Sequence, residues 1–278
     1  MSKHPKTLVT HLFPHRDDVA GLWLLKRFDS SLRKAEIEFV PTSAGGVKLP
    51  PEKIGVGIGR GKYDEHKGDL KDSATSLIWK DLKRRGKLPS GAEGKALAAL
   101  VDDVRLGDMG SGIGTPGHFR NDTKILQTIA GLPSGDSLMA CGWGFVLMDA
   151  LLSLYKEREE AMHAIKRGVV FTTKHGKGVA VRSAMLPGMA STISAELGYA
   201  LIVLEHPSRR YLHVRAAPSS KIDLTNLAKA VRAKEPENEW YFHHSKRMLL
   251  HGDLVAPTNA RTKFTPRTMT ALIKKLYA

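Results

Sequence analysis

Thr10-His11-Leu12-Phe13-Pro14-His15-Arg16-Asp17-Asp18-Val19 sets two imidazoles and two carboxylates between an apolar strand and an apolar helix. His11, His15 and Asp17 together suit a divalent cation, since neutral imidazole nitrogen and carboxylate oxygen are common protein donors to such ions. The same residues also admit a plainer role. Adjacent aspartates favour a helix N-terminus through its dipole, and the chain has 12 histidines to distribute over its surface. A second dense group is Lys62-Tyr63-Asp64-Glu65-His66-Lys67, with three potential donors in succession, which a solvated turn would equally explain. The third is Asp102-Asp103, directly after the apolar run Lys95-Ala96-Leu97-Ala98-Ala99-Leu100-Val101. Two carboxylates there are costly to bury without a cation or an arginine, and Arg105 is within reach as a partner.

The elements that must carry these residues follow from hydrophobic periodicity. Residues 7–10 read as a buried strand and 19–25 as a buried helix. A turn from strand to helix in an α/β sheet lies at the carboxyl end of the strand, where such folds bind ligands. Residues 36–41 read as a second strand and 54–61 as a third, crowded with glycine. That glycine run lacks the Lys-Ser/Thr ending of a phosphate-binding P-loop. Ser73 would cap a helix that runs to Arg85 and ends at Gly86. Residues 94–106 form another helix, and the glycine-rich residues 107–119 a loop suited to be the rim or lid of a site.

Helices over 122–130 and 137–167 follow, the longer with an apolar stripe of Leu147, Leu151, Leu154 and Tyr155. From Gly168 the texture changes. Strands are expected at 169–172, 178–181, 199–204, 211–215, 240–243 and 248–250, with helices at 190–197, 224–233 and 265–277. The expected fold is therefore α/β: a parallel-sheet N-terminal domain over 1–167 and a smaller α/β C-terminal domain over 168–278.

The chain has 278 residues, 43 Lys plus Arg against 28 Asp plus Glu, and a formal charge of +15. That excess favours a polyanionic partner, and nucleic acid is the usual one. The basic residues are spread along the chain rather than gathered in a tail. No apolar run of membrane-spanning length is expected, and residues 1–6 lack the apolar core of a secretion signal, so no membrane association is expected. The single cysteine, Cys141, excludes an internal disulfide. Its apolar setting reads as a buried thiol, and a reducing, cytoplasmic location follows.

The three clusters in this order resemble the melanocyte-proliferating-gene (Myg) family of the DHH phosphoesterase superfamily. The matching stretches are a strand followed by Thr-His-x-x-x-His-x-Asp-Asp, then Tyr63-Asp64-Glu65-His66-Lys67, then Val101-Asp102-Asp103-Val104-Arg105-Leu106-Gly107. Late in the chain, Trp240-Tyr241-Phe242-His243-His244-Ser245-Lys246-Arg247 is similar to the family's final signature. The resemblance is motif-deep over most of the chain. It implies a DHH-like domain carrying metals, a C-terminal domain that closes over substrate, and metal-dependent phosphodiester hydrolysis with one or two Mn²⁺ or Mg²⁺ ions. For Myg relatives the implied activity is that of an exonuclease on RNA or single-stranded DNA.

Carried over by position, the resemblance makes His11, His15, Asp17, Glu65 and Asp102 metal ligands, with Asp103 as the neighbouring alternative. Asp64 and His66 would serve catalysis, with His66 contacting the phosphate or protonating the leaving oxygen. His244, Ser245, Lys246, Arg247 and His251 would hold substrate phosphates, and Trp240, Tyr241 or Phe119 would stack on bases. Three positions depart from the family pattern. Gly55 stands where a bridging carboxylate is expected, Glu65 replaces the first histidine of Asp-His-His, and Arg105 replaces a second aspartate. Two alternative functions stand beside this one: a nucleic-acid-binding protein with a degenerate metal site, which the departures would fit, and a phosphodiesterase for small nucleotides or cyclic dinucleotides.

Overall fold

A computed structural model describes residues 6–42, 46, 48–66, 71–109, 122–207, 211–252 and 261–278. The chain divides into two compact units, Met1–Lys156 and Glu157–Ala278. The division falls inside a long helix rather than at its end near residue 167.

In the first unit β1 (Thr7–His11), β2 (Glu36–Val40) and β3 (Lys53–Gly55) form a parallel sheet in the order β2-β1-β3. Leu8 and Val9 of the central strand have no exposure, as a strand covered on both faces requires. The third strand is shorter than the alternation over 54–61 suggests. It ends at Gly55, Val56 makes one isolated bridge to Tyr63, and the chain turns. Thr10 Oγ1 donates to the Val56 carbonyl at 3.0 Å and the Gly57 N–H to the Tyr63 carbonyl at 2.9 Å, which fixes this turn beside the end of β1.

Helix α1 (Arg16–Phe28) is buried around its whole circumference from Arg16 to Leu25, with its charged residues confined to the two ends. Its Val19, Leu22, Leu24 and Leu25 are fully buried against Ile78 and Leu82 of α2 (Ala74–Arg84) and Leu97 and Leu100 of α3 (Gly91–Asp108). Each such side chain stabilises the fold by roughly 1.5–3 kcal/mol. Ser73 caps α2 by accepting the Ser76 N–H, and Gly86, at φ +64°, ends it in the left-handed region that glycine enters freely. Helix α3 continues through Gly107 and Asp108, two residues into the stretch expected to be loop. Met109 caps the helix, and residues 110–119 of that expected lid, with Phe119, lie outside the described residues.

After α4 (Asp122–Ala130) comes α5 (Ser137–Lys166), whose Met148 and Leu151 join the same core. By length and composition α5 could cross a membrane, which corrects the expectation that no apolar run has that length. Its outward residues include Leu138, Trp143 and Val146. Cys141 is buried as expected, and burial pushes its thiol up to about 12.

The far end of α1 holds a buried acidic pair. Asp29 accepts from Ser31 and Arg85, and Asp81 accepts from Tyr63, Lys62 and Arg84. Burial works to raise the Asp29 pKa, but the Ser31 and Arg85 hydrogen bonds outweigh it and hold the carboxyl at about 2. A folded pKa below the unfolded value means stability that is complete above the unfolded value and lost as pH falls through the folded one. Chemical denaturation as a function of pH is therefore expected to show about 2 kcal/mol from Asp29 disappearing between roughly pH 4 and pH 2. Asp29→Asn is expected to flatten that slope.

The second unit is built on a six-stranded sheet in the order β4-β5-β6-β7-β9-β8. The strands are β4 (Val169–Thr173), β5 (Gly176–Arg182), β6 (Leu201–His206), β7 (Tyr211–Ala216), β8 (Trp240–Phe242) and β9 (Met248–His251). Only β5 and β6 run parallel, joined through α6 (Pro187–Glu196); the other neighbours are antiparallel. Strand β6 is buried on both faces. Leu201 and Val203 pack with α7 (Thr225–Lys234) and α8 (Pro266–Leu276), while Ile202 and Leu204 pack with α6 and the end of α5. The period of two along a strand makes that division.

Candidate metal centre

Strand β1 ends at His11, and α1 begins at Arg16 with His15 as its N-cap. Between them Phe13 takes a φ of +53°, which a bulky residue rarely adopts, and its N–H donates to Ser137 Oγ at 3.1 Å. The rings of His11 and His15 meet edge to face with centroids 4.9 Å apart. Asp17 and Asp18 occupy the first turn of α1 and are both buried. Asp17 faces α2, where Oδ2 accepts the Ala74 N–H at 2.8 Å and Oδ1 the Thr75 N–H at 3.1 Å. It thus satisfies two of the donors that the start of a helix leaves open. Asp18 faces the histidines: Oδ2 accepts the His15 N–H at 2.8 Å and lies 2.9 Å from His11 Nε2.

The turn after β3 brings the second group. Asp64 Oδ2 accepts the Arg60 N–H at 2.6 Å, and Oδ1 accepts from the His66 N–H and Nδ1, each at 3.0 Å. Asp64 therefore holds the turn in shape and orients the His66 ring. Glu65 Oε2 is buried and has no hydrogen-bond partner among the described residues. The third contribution is Asp108, the last residue of α3.

These segments line one cavity of about 590 Å³. Donor atoms lie within 4.8 Å of one another in three sets: His11, His15 and Asp18; Asp17, Glu65 and Asp108; Asp64, Glu65 and His66. Burial, then the charges of Asp108 and Asp18, push the Asp17 carboxyl up to about 8. Glu65 and Asp108 are raised as well, chiefly by burial. Burial works to lower the His11 pKa, but its hydrogen bond to Asp18 and that residue's charge push it up to about 9. Carboxylates crowded in a low-dielectric cavity repel one another, and a divalent cation is the usual relief. Carboxylate oxygens suit hard cations, and the imidazoles extend the fit to transition metals such as manganese.

Of the residues expected from sequence, His11, His15, Asp17, Asp64, Glu65 and His66 come together in this cavity. Asp102 and Asp103 do not. Asp102 lies on the outer face of α3, paired with Arg105 at 2.6 Å, and buried Asp103 is paired with Arg16 at 2.6 Å. The carboxylate that α3 delivers is Asp108. A signal for it exists in the sequence, since Asp108 extends the buried stripe of Leu97, Val101 and Val104 at helical spacing.

Gly55 is also displaced from its expected role. A Cβ there would meet the Ile58 carbonyl oxygen at 2.3 Å, and the residue lining the cavity is Gly57. Asp18, expected only to favour the helix terminus, contributes its carboxylate to the cavity.

In the second unit the expected phosphate-binding residues separate into two kinds. His244, Ser245 and Lys246 are exposed on the turn between β8 and β9, with Tyr241 exposed beside them. Arg247 instead donates to the carbonyls of Ala217 and Ser220 at 2.8 and 2.6 Å and staples the chain. His251 has no exposure and packs at a tilt against buried Trp240, with ring centroids 5.1 Å apart, so neither of that pair can meet a substrate.

No family model matches the chain, and no curated protein matches it in sequence. Among solved structures it is similar to exonuclease RecJ bound to manganese, at 15% identity and a TM-score of 0.31, over 98% of this chain and 90% of that one. It is similar to RecJ in complex with Mg²⁺ from Thermus thermophilus, at 15% identity and a TM-score of 0.33, over 99% of this chain and 50% of that one. It is also similar to the DHH domain of a member of the s1p family of ribosomal proteins, at 11% identity and a TM-score of 0.32, over 90% and 83% of the two chains.

Proposed function

We propose that this chain is a metal-dependent phosphodiester hydrolase of the DHH type, acting as an exonuclease on RNA or single-stranded DNA. One observation carries the reading: residues 11–18, residues 64–66 and Asp108, distant in sequence, supply imidazole nitrogens and carboxylate oxygens to one cavity. The residues fit a divalent cation, because Glu65 Oε2 is buried there without a partner among the described residues. His11, His15, Asp17, Glu65 and Asp108 would hold one or two ions of Mn²⁺ or Mg²⁺. Such an ion supplies Lewis acidity at the phosphoryl oxygens and lowers the pKa of water.

The chain's own part in the reaction follows from the turn at 64–66. Asp64 fixes His66 through Nδ1, which leaves Nε2 to pass a proton to the leaving oxygen. On the second unit, Lys246, His244 and Ser245 offer donors for phosphates, and Tyr241 offers a face for a base. The charge of +15 draws a polyanion to the surface.

The test is incubation of the purified chain with end-labelled RNA, single-stranded DNA and a cyclic dinucleotide in Mn²⁺ or Mg²⁺. Stepwise release of mononucleotides from the single strands, abolished by EDTA, is the expected result. Retention of RNA without any cleavage would identify a binding protein instead, and turnover of the dinucleotide alone a small-molecule phosphodiesterase.

A further inference from the structure

We infer that Asp18 is itself a metal-binding carboxylate, and that it fills from α1 the space a side chain at position 57 would otherwise fill. This rests on the metal-dependent reading and adds a ligand that the spacing of the first cluster does not suggest. Asp18 has two distinguishable oxygens. Oδ2 is engaged by His11 Nε2 and the His15 N–H. Oδ1 takes no hydrogen bond among the described residues and points at Gly57.

A Cβ on Gly57 would lie 2.3 Å from Asp18 Oδ1 and 3.5 Å from its Cγ, whereas the next atom, Ala74 Cβ, is 4.0 Å away. Asp18 is therefore the obstacle. Without its carboxylate the floor of the cavity would admit a side chain at 57. The two positions exclude each other, and one carboxylate serves the cavity from either. Gly57 has a φ of +68°, a region that aspartate and asparagine enter more readily than most L-residues.

Pairing with His11 alone would explain Oδ2 but not the placement of Oδ1 against Gly57. Position strengthens the assignment. Asp18 shares one donor set with His11 and His15, and its charge acts on Asp17, Glu65 and Asp108 of the neighbouring set. A carboxylate so placed would hold a cation together with His11 and His15.

The experiment is calorimetric titration with Mn²⁺ of the full chain and of Asp18→Ala, Gly57→Asp and the double variant Asp18→Ala/Gly57→Asp, each checked for folding by circular dichroism. Asp18→Ala is expected to weaken binding by about a hundredfold or more or to lose one equivalent, and the double variant to recover to within about tenfold. Gly57→Asp alone is expected to bind poorly, because two carboxylates then overlap. Should Asp18→Ala fail to fold, Asp18→Asn keeps the shape and an acceptor and is expected to show the same loss. Unchanged binding by a folded Asp18 variant would overturn the assignment, and so would a double variant no better than Asp18→Ala. A wild-type chain that takes up no Mn²⁺ would instead overturn the metal-dependent reading on which it rests.

Discussion

Asp17→Asn is expected to lower the single-turnover rate of strand cleavage by about a thousandfold or more, equivalent to about 4 kcal/mol of barrier. Affinity for single-stranded nucleic acid in EDTA should stay as it was. Asp17 has both oxygens engaged by the start of α2, yet a carboxylate oxygen has a second lone pair, and one oxygen of Asp17 lies within 4.8 Å of donor atoms of Glu65 and Asp108. Asparagine keeps one acceptor for α2 and turns an N–H₂ group toward the other donor. That mismatch costs about 1–2 kcal/mol of stability, too little to unfold the unit. The substitution therefore removes the charge and leaves the scaffold. A rate within tenfold of wild type would show that Asp17 only caps the helix, and equal loss of cleavage and nucleic-acid affinity would point to misfolding.

Asp103→Ala is expected to destabilise the chain by about 3–5 kcal/mol, because it leaves the buried Arg16 guanidinium without its carboxylate. The Tm should fall by on the order of 10 °C. Asp102→Ala, which removes one end of a half-exposed pair with Arg105, is expected to change stability by less than about 1 kcal/mol. Mn²⁺ affinity of the folded protein should be unchanged in both, while Asp108→Ala lowers it. An Asp103→Ala variant that melts normally but loses Mn²⁺ would return the α3 ligand to position 103.

The first cluster was legible because its residues are consecutive. A short strand centred on Leu8 and Val9 and a buried helix leave only one short turn between them, and His11, His15 and Asp17 sit at or beside that turn wherever the rest of the chain goes. Glu65 and His66 were legible for the same reason. The misplacements have identifiable causes. In Ile54-Gly55-Val56-Gly57-Ile58-Gly59 the glycines repeat with the period of a strand, so a shift of two residues leaves the pattern intact. The turn closed by the bridge from Val56 to Tyr63 and the approach of Gly57 to Asp18 place Gly57, not Gly55, on the cavity.

Asp102, Asp103 and Asp108 differ by rotation about α3, and the end of that helix was hidden by the glycines that follow. Asp18 resembled an ordinary first-turn acid, and its second role depends on how close Gly57 comes. Arg247 and His251 sit in a motif suited to phosphate contact, but their burial is decided by β9 and by the carbonyls of Ala217 and Ser220, which lie far away in sequence.

Crystals grown with Mn²⁺ and measured at the manganese absorption edge would locate any ion directly. One or two anomalous peaks are expected within bonding distance of His11, His15, Asp17, Asp18, Glu65 and Asp108. Manganese-saturated crystals with no peak in that cavity, or with peaks only beside Asp102, would contradict a metal centre built on the turn between β1 and α1.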